Sequence, residues 1–221
     1  MTSRKEPLRV ILMVIVLVIL APSCRKKDPV YILEGQVRSH ATGQALSGVT
    51  VSVEQRTVGG NVFSGAFTQA ASGSTISDGT YRLEWPREQL AEVQLLAAKA
   101  SYIPATITLD PEDFLPDEVV YQNVRLQPEA FVEVTLTNTG EAAVEDLIRF
   151  RFTQASFDCA CCNGDWKEIW GADADTTFSC RIYGDIWLKY WAEITAESGN
   201  LLIIDSLWCP AFVSTPLVIE Y

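Results

Sequence analysis

Val49-Thr50-Val51-Ser52-Val53-Glu54-Gln55 alternates strictly between apolar and polar side chains. Successive side chains of a strand point to opposite faces, so Val49, Val51 and Val53 make the buried face of a half-exposed antiparallel strand. Upstream, Tyr31-Ile32-Leu33-Glu34-Gly35-Gln36-Val37-Arg38 also reads as a strand, and Ser39 to Gly48 as a turn-rich connector. Downstream, Thr57 to Ser77 is rich in Gly, Ser, Ala and Thr and reads as a long loop or irregular hairpin. Asp78-Gly79 is a turn signal ahead of the strand Thr80-Tyr81-Arg82-Leu83-Glu84-Trp85. The segment from Val93 to Ala100 has the Ala and Leu content of a helix, but it is short and sits among strands, which predicts a strand. Thr106 to Leu109 and Val119 to Leu126 complete an antiparallel sandwich of roughly seven strands over residues 30–128.

The remainder, residues 129–221, predicts a second small β-sandwich, which makes the whole chain all-β. Its expected strands are Phe131 to Asn138, 147–153, Phe178 to Ile182, Asp185 to Thr195, Leu201 to Asp205 and Leu217 to Tyr221. Every cysteine after Cys24 lies here: Cys159, Cys161, Cys162, Cys180 and Cys209. In an oxidising compartment the default is disulfides. Two bridges joining the Cys159/Cys161/Cys162 cluster to Cys180 and Cys209 are expected, with the odd thiol of the cluster left open. A thiolate metal site is the alternative, but Cys-Ala-Cys-Cys lacks the two-residue gap of zinc knuckles. No metal and no cofactor is expected.

The first residues carry a different message. Arg4, Lys5 and Arg9 precede an apolar run from Val10 to Ala21, too short to span a bilayer comfortably, and small residues follow. This is the pattern of an export signal over residues 1–23. Leu20-Ala21-Pro22-Ser23-Cys24 resembles a bacterial lipoprotein box, which implies that Cys24 becomes the new N-terminus and receives lipid. Several acyl chains anchor stably where one binds only marginally. Residues 24–29 then form a tether. Its lack of an Asp after the cysteine favours the outer membrane, on the periplasmic or the cell-surface side, and its basic cluster followed by Asp28 is similar to surface-export tethers of Bacteroidota lipoproteins.

Gly35-Gln36-Val37, Gly43-Gln44-Ala45-Leu46-Ser47-Gly48-Val49-Thr50-Val51, Asp78-Gly79-Thr80-Tyr81 and Ala100-Ser101-Tyr102 together resemble the carboxypeptidase regulatory-like domain. The resemblance implies a transthyretin-like sandwich over less than half of the chain, of a kind common in exported Bacteroidota proteins. Ser101 departs from it, because the family usually has Gly before the tyrosine that corresponds to Tyr102. The 57–76 loop is also longer than the pattern.

Chemistry is scarce. The chain has 221 residues, a net charge of -11 and one histidine, His40, in a turn. The acidic balance excludes a binder of nucleic-acid backbones. A zinc peptidase needs several His and Glu ligands, and a Ser-His-Asp triad needs a histidine beside a nucleophile, so neither is expected. Acid pairs such as Glu112/Asp113 or Asp173/Asp175, which a glycosidase or a calcium site would need, occur by chance among so many carboxylates, and neither loop carries an EF-hand pattern.

The informative stretch is Asp185-Ile186-Trp187-Leu188-Lys189-Tyr190-Trp191-Ala192-Glu193. Alternation puts Trp187, Lys189, Trp191 and Glu193 on one strand face, with Leu188, Tyr190 and Ala192 on the core side. The aromatic face has three readings: covered by the 159–175 segment, a protein interface, or a stacking platform for glycans. The expected function is that of a non-catalytic outer-membrane accessory lipoprotein working through an envelope protein partner. Carbohydrate binding at Trp187 and Trp191 is the alternative.

Overall fold

Apolar and polar residues alternate along most of the chain, and strands result almost everywhere. The computed structural model describes residues 28–59, 62–63, 65–137, 146–153, 164–171, 176–196 and 199–220. The expected export signal, Cys24, and the cluster Cys159, Cys161 and Cys162 lie outside the described residues.

The first half holds β1 (Val30–Ser39), β2 (Thr50–Gly59), β3 (Val62–Phe63), β4 (Thr68–Ser74), β5 (Thr80–Pro86), β6 (Leu90–Ala98), β7 (Tyr102–Ile103), β8 (Ala105–Leu109) and β9 (Val119–Tyr121). A single 3-10 turn, Pro111–Asp113, lies between β8 and β9, its N-cap Asp110 accepting a hydrogen bond from the Glu112 amide. Then follow β10 (Val124–Thr137), β11 (Leu147–Phe152), β12 (Lys167–Trp170), β13 (Thr176–Tyr183), β14 (Ile186–Ala196), β15 (Gly199–Cys209) and β16 (Ser214–Glu220).

β2 sits between β4 and β6, with β8 beyond β6. Val51 and Val53 of β2, with Val49 just before it, are fully buried in one core with Val93, Leu95 and Ala97 of β6 and Leu33, Leu83 and Trp85 of the opposite sheet. The Ala- and Leu-rich segment is therefore a strand, because its alternate residues are what fill this core. Trp85 packs its ring against Tyr31 and Phe114 at centroid distances of 5.7 and 5.5 Å, and its Nε1 donates to Gln55 Oε1 at 3.1 Å.

The turn residues explain the loops. Asp78 Oδ1 accepts from the Thr80 amide at 2.9 Å and the Thr80 hydroxyl at 2.7 Å, and these bonds hold its carboxyl below the usual range. Gly79 has φ +78°, and a Cβ there would lie 2.6 Å from the Val37 carbonyl oxygen. Ser101 also has a positive φ, 65°. A left-handed conformation costs an ordinary residue about 1–2 kcal/mol, which explains physically why glycine suits this place.

Two expectations require correction. Two separate sandwiches, the first purely antiparallel, do not describe this chain. β10 is one continuous strand of 14 residues that belongs to a seven-stranded sheet running through both halves. Val124 to Leu126 pair in parallel with β1, which also pairs in parallel with β9. Glu129 to Leu136 pair with β13, and Phe131 to Thr137 pair in parallel with β16. The strand contributes Val124 and Leu126 to one core, then Ala130, Val132, Val134 and Leu136 to the other. Pro128, which cannot donate, sits where β10 changes neighbours, and its carbonyl accepts from the Gly184 amide at 2.7 Å.

The expected pair of disulfides is the second correction. No bridge joins two described residues, because Cys209 is a free thiol buried in the second core. Cys180 is disulfide-bonded, and its partner is not among the described residues. Aromatic packing fills the second core. Phe150 sits edge-on to Phe152 and Phe178 at 5.0 and 5.9 Å and tilts against Tyr190 at 6.1 Å, with Ile148, Leu188 and Ile194 around them.

Burial pushes the Cys209 thiol up to about 11. A thiolate is the reactive form, so the native protein should resist a thiol reagent at Cys209 near pH 8 and react once unfolded. The raised value also makes this group a source of alkaline sensitivity. Its contribution is intact below the ordinary thiol value of 9.0 and is lost as pH rises through about 11. Mass spectrometry of the labelled native protein checks this; rapid labelling at Cys209 without unfolding would refute it.

Candidate binding surface

β14 alternates through the wall of the second half. Leu188, Tyr190 and Ala192 are buried in the core, while Trp187, Lys189, Trp191 and Glu193 stand on the other face. β11 and β15 flank β14, and β12 closes the far side of this four-stranded sheet. Register then fixes the neighbours. Trp187 lies opposite Trp208, Lys189 opposite Ser206, Trp191 opposite Ile204 and Glu193 opposite Leu202. On the β11 side, Arg149 lies opposite Glu193 and Arg151 opposite Trp191.

The two expected tryptophans part company here. Trp187 is 60% exposed and pairs with Trp208, 42% exposed, at a centroid distance of 5.6 Å and 55° between ring planes. Trp191 is half-buried, with the Arg151 guanidinium over its ring at 4.8 Å. The same Arg151 lies over Trp166 at 4.4 Å, and Arg149 lies over Trp166 at 4.8 Å. An indole–guanidinium–indole stack therefore covers the middle of the sheet. Arg149 also pairs with Glu168 at 3.1 Å and with Glu193 at 3.3 Å. Partly exposed pairs of this kind add little stability, but they hold the stack in place.

Lys189 is exposed between the paired and the stacked tryptophans. Trp208, Ile204 and Leu202 extend the apolar row along β15. Sequence alternation located the β14 face. It could not assign the β15 residues to that face, because only the hairpin register does so.

The rest of the chemistry stays dispersed. His40 is exposed in its turn, and its amide donates to the Leu126 carbonyl at 2.8 Å. Among the described residues no three His, Cys, Asp or Glu side chains come together to hold a metal ion.

Fold and surface together define an all-β protein with an exposed aromatic strip on one sheet face. Neither a family model nor a curated protein sequence matches the chain. Among solved structures it is similar to the shaft pilin SpaA from Lactobacillus rhamnosus GG, at 12% identity and a TM-score of 0.29, covering 87% of this chain and 97% of that one. A streptococcal ancillary pilin matches at 11% identity and 0.30, covering 86% and 62%. GBS52, the minor pilin of Streptococcus agalactiae, matches at 10% identity and 0.31, covering 86% and 94%. All three are named as pilins and none as an outer-membrane lipoprotein, so the comparisons do not bring the expected lipoprotein class with them. TM-scores of this size carry no argument about function.

Proposed function

We propose that this chain is a lipid-anchored accessory protein of the outer membrane that acts through protein contacts, made by the outward face of the sheet β12-β11-β14-β15. The observation that carries the reading is the exposed Trp187–Trp208 pair continued by Ile204 and Leu202. Large aromatic rings beside aliphatic side chains are what binding hot spots are made of. The anchor rests on the sequence Leu20-Ala21-Pro22-Ser23-Cys24, and the first half on the regulatory-like pattern, which the positive φ of Gly48 and Gly79 supports.

Geometry favours protein over glycan. A sugar-stacking floor wants flat, open rings, whereas Trp187 and Trp208 stand 55° apart and Arg151 occupies Trp191.

The full chain, captured in mild detergent from its own membranes, should bring down a defined envelope protein. Trp187→Ala or Trp208→Ala should weaken that capture about thirtyfold, the size of a 2 kcal/mol hot spot. Cys24→Ala should move the protein out of the membrane fraction. Capture that is indifferent to both tryptophan variants would remove this face from the reading, and glycan binding lost with Trp187→Ala would replace the partner by a sugar.

A further inference from the structure

β15 is the last strand of its sheet, and among the described residues nothing pairs with its outer edge. The direction of its backbone groups follows from its neighbours. The Thr153 amide donates to the Lys189 carbonyl at 3.0 Å, so Lys189 turns its backbone toward β11. Ser206, opposite Lys189, therefore turns its own backbone away from β14, and its amide is met by its neighbour's Asp205 Oδ1 at 2.7 Å. By the two-residue period, Asn200, Leu202, Ile204 and Trp208 aim their N–H and C=O groups off the open edge as well.

Exposed edges are ordinarily blunted by lysines, prolines, bulges or short strands. β15 has none of these. It is 11 residues long, pairs with β14 without a bulge, contains no Lys and no Pro, and carries Asp205 as its one charge. Leu201, Leu202 and Ile204 are each more than half exposed.

We propose that this edge pairs with a second copy of the same chain, antiparallel, with the two-fold axis at Ile204. The strand is its own complement. Ile204 is the midpoint of Gly199–Cys209, so the axis there aligns the whole strand with its copy. Ile204 meets Ile204, Leu202 meets Ser206 and Asn200 meets Trp208. Asp205 falls opposite Ile203, so no like charges are opposed. Each molecule carries a net charge of -11, and this nearly neutral strip is where two copies can approach. The dimer extends the indole face instead of covering it, because side chains stand perpendicular to the sheet. The inference therefore depends on neither the lipid anchor nor the envelope partner.

Sedimentation velocity of the full chain in mild detergent should show a concentration-dependent dimer that strengthens with salt as the like charges are screened. Ile204→Pro removes an amide that points only off the edge, a place where proline is tolerated. Ile204→Lys adds an edge charge. Each should weaken the dimer at least about tenfold with the melting temperature little changed. Ile204→Cys should form a covalent dimer on mild oxidation, because directly opposed residues of a hydrogen-bonded pair lie about 5.5 Å apart at Cα, within disulfide reach. Leu201→Cys should not. A monomer at every concentration, a dimer unmoved by both Ile204→Pro and Ile204→Lys, or cross-linking at 201 instead of 204 would each overturn the proposal. So would a monomer that takes a strand of another protein along β15. Failure of envelope-partner capture in the Trp187→Ala and Trp208→Ala variants would leave this test unaffected.

Discussion

Gly35→Ala should lower the melting temperature by about 10 °C, corresponding to a loss of about 3–5 kcal/mol. The position has no room for a side chain. A Cβ on Gly35 would sit 1.8 Å from the Gln122 carbonyl oxygen and 2.9 Å from the Tyr81 hydroxyl. That carbonyl is engaged, since the Tyr81 hydroxyl donates to it at 2.6 Å, and burial pushes the Tyr81 phenol well above its usual value. The connector between β9 and β10 is also tied to β1, with the Gln122 amide donating to Glu34 O at 2.8 Å and Asn123 Oδ1 accepting from the Gln36 amide at 2.9 Å. A methyl group drives this connector off β1. It strands a buried hydroxyl, at about 1–3 kcal/mol, and overpacks the junction by a similar amount. Tyr81→Phe in the same background should recover part of the loss, because the hydroxyl left without its acceptor is then gone. A Gly35→Ala protein that melts within about 2 °C of the parent would show that the junction relaxes freely.

Phe150→Ala should cost about 3–5 kcal/mol, the range for deleting a buried phenyl ring. Phe150 is fully buried and touches three other rings, so the cavity would open at the centre of the second core. Native stabilities are of the order of 5–15 kcal/mol, so this is a large fraction of the whole. The damage should not stay local. β10 supplies both cores, and Tyr102 packs edge-on against Phe212 at 5.4 Å across the junction. Urea unfolding followed by near-UV circular dichroism should show one transition displaced to lower denaturant, and Phe150→Leu should restore most of it. A loss below about 1 kcal/mol would place the weight of this core elsewhere.

How much of this was legible beforehand depends on how local each feature is. The β2 valines, the Thr80 to Trp85 strand and the two faces of β14 follow from a two-residue period that any single strand displays. The Asp78-Gly79 turn follows from chemistry two residues long. β4 was legible only as part of a long loop or irregular hairpin, because Thr68–Ser74 has no large apolar residue to mark a buried face, and its register with β2 comes from tertiary context. The continuity of β10 escaped because Gln127-Pro128-Glu129 looks like a break. It is instead the point where the strand exchanges one set of neighbours for another. The free Cys209 could not be foreseen either, since counting thiols says nothing about which sulphurs meet. On the candidate surface, Trp187 and Trp191 were legible as a pair, but one is open and the other lies under Arg151. That difference is made by β11 and β15, neither of which is adjacent to β14 through sequence period alone.

The directions of β1, β10 and β16 also determine how the molecule would carry a pull. β1 and β16 both run parallel to β10, one pairing near its start and the other along its end. Tension applied at the beginning of β1 and the end of β16 would slide these strands along β10, loading many backbone bonds side by side rather than opening them one after another. A protein tethered through its N-terminal segment and gripped beyond β16 would meet that load as shear, with β10 as the tie rod between the two ends.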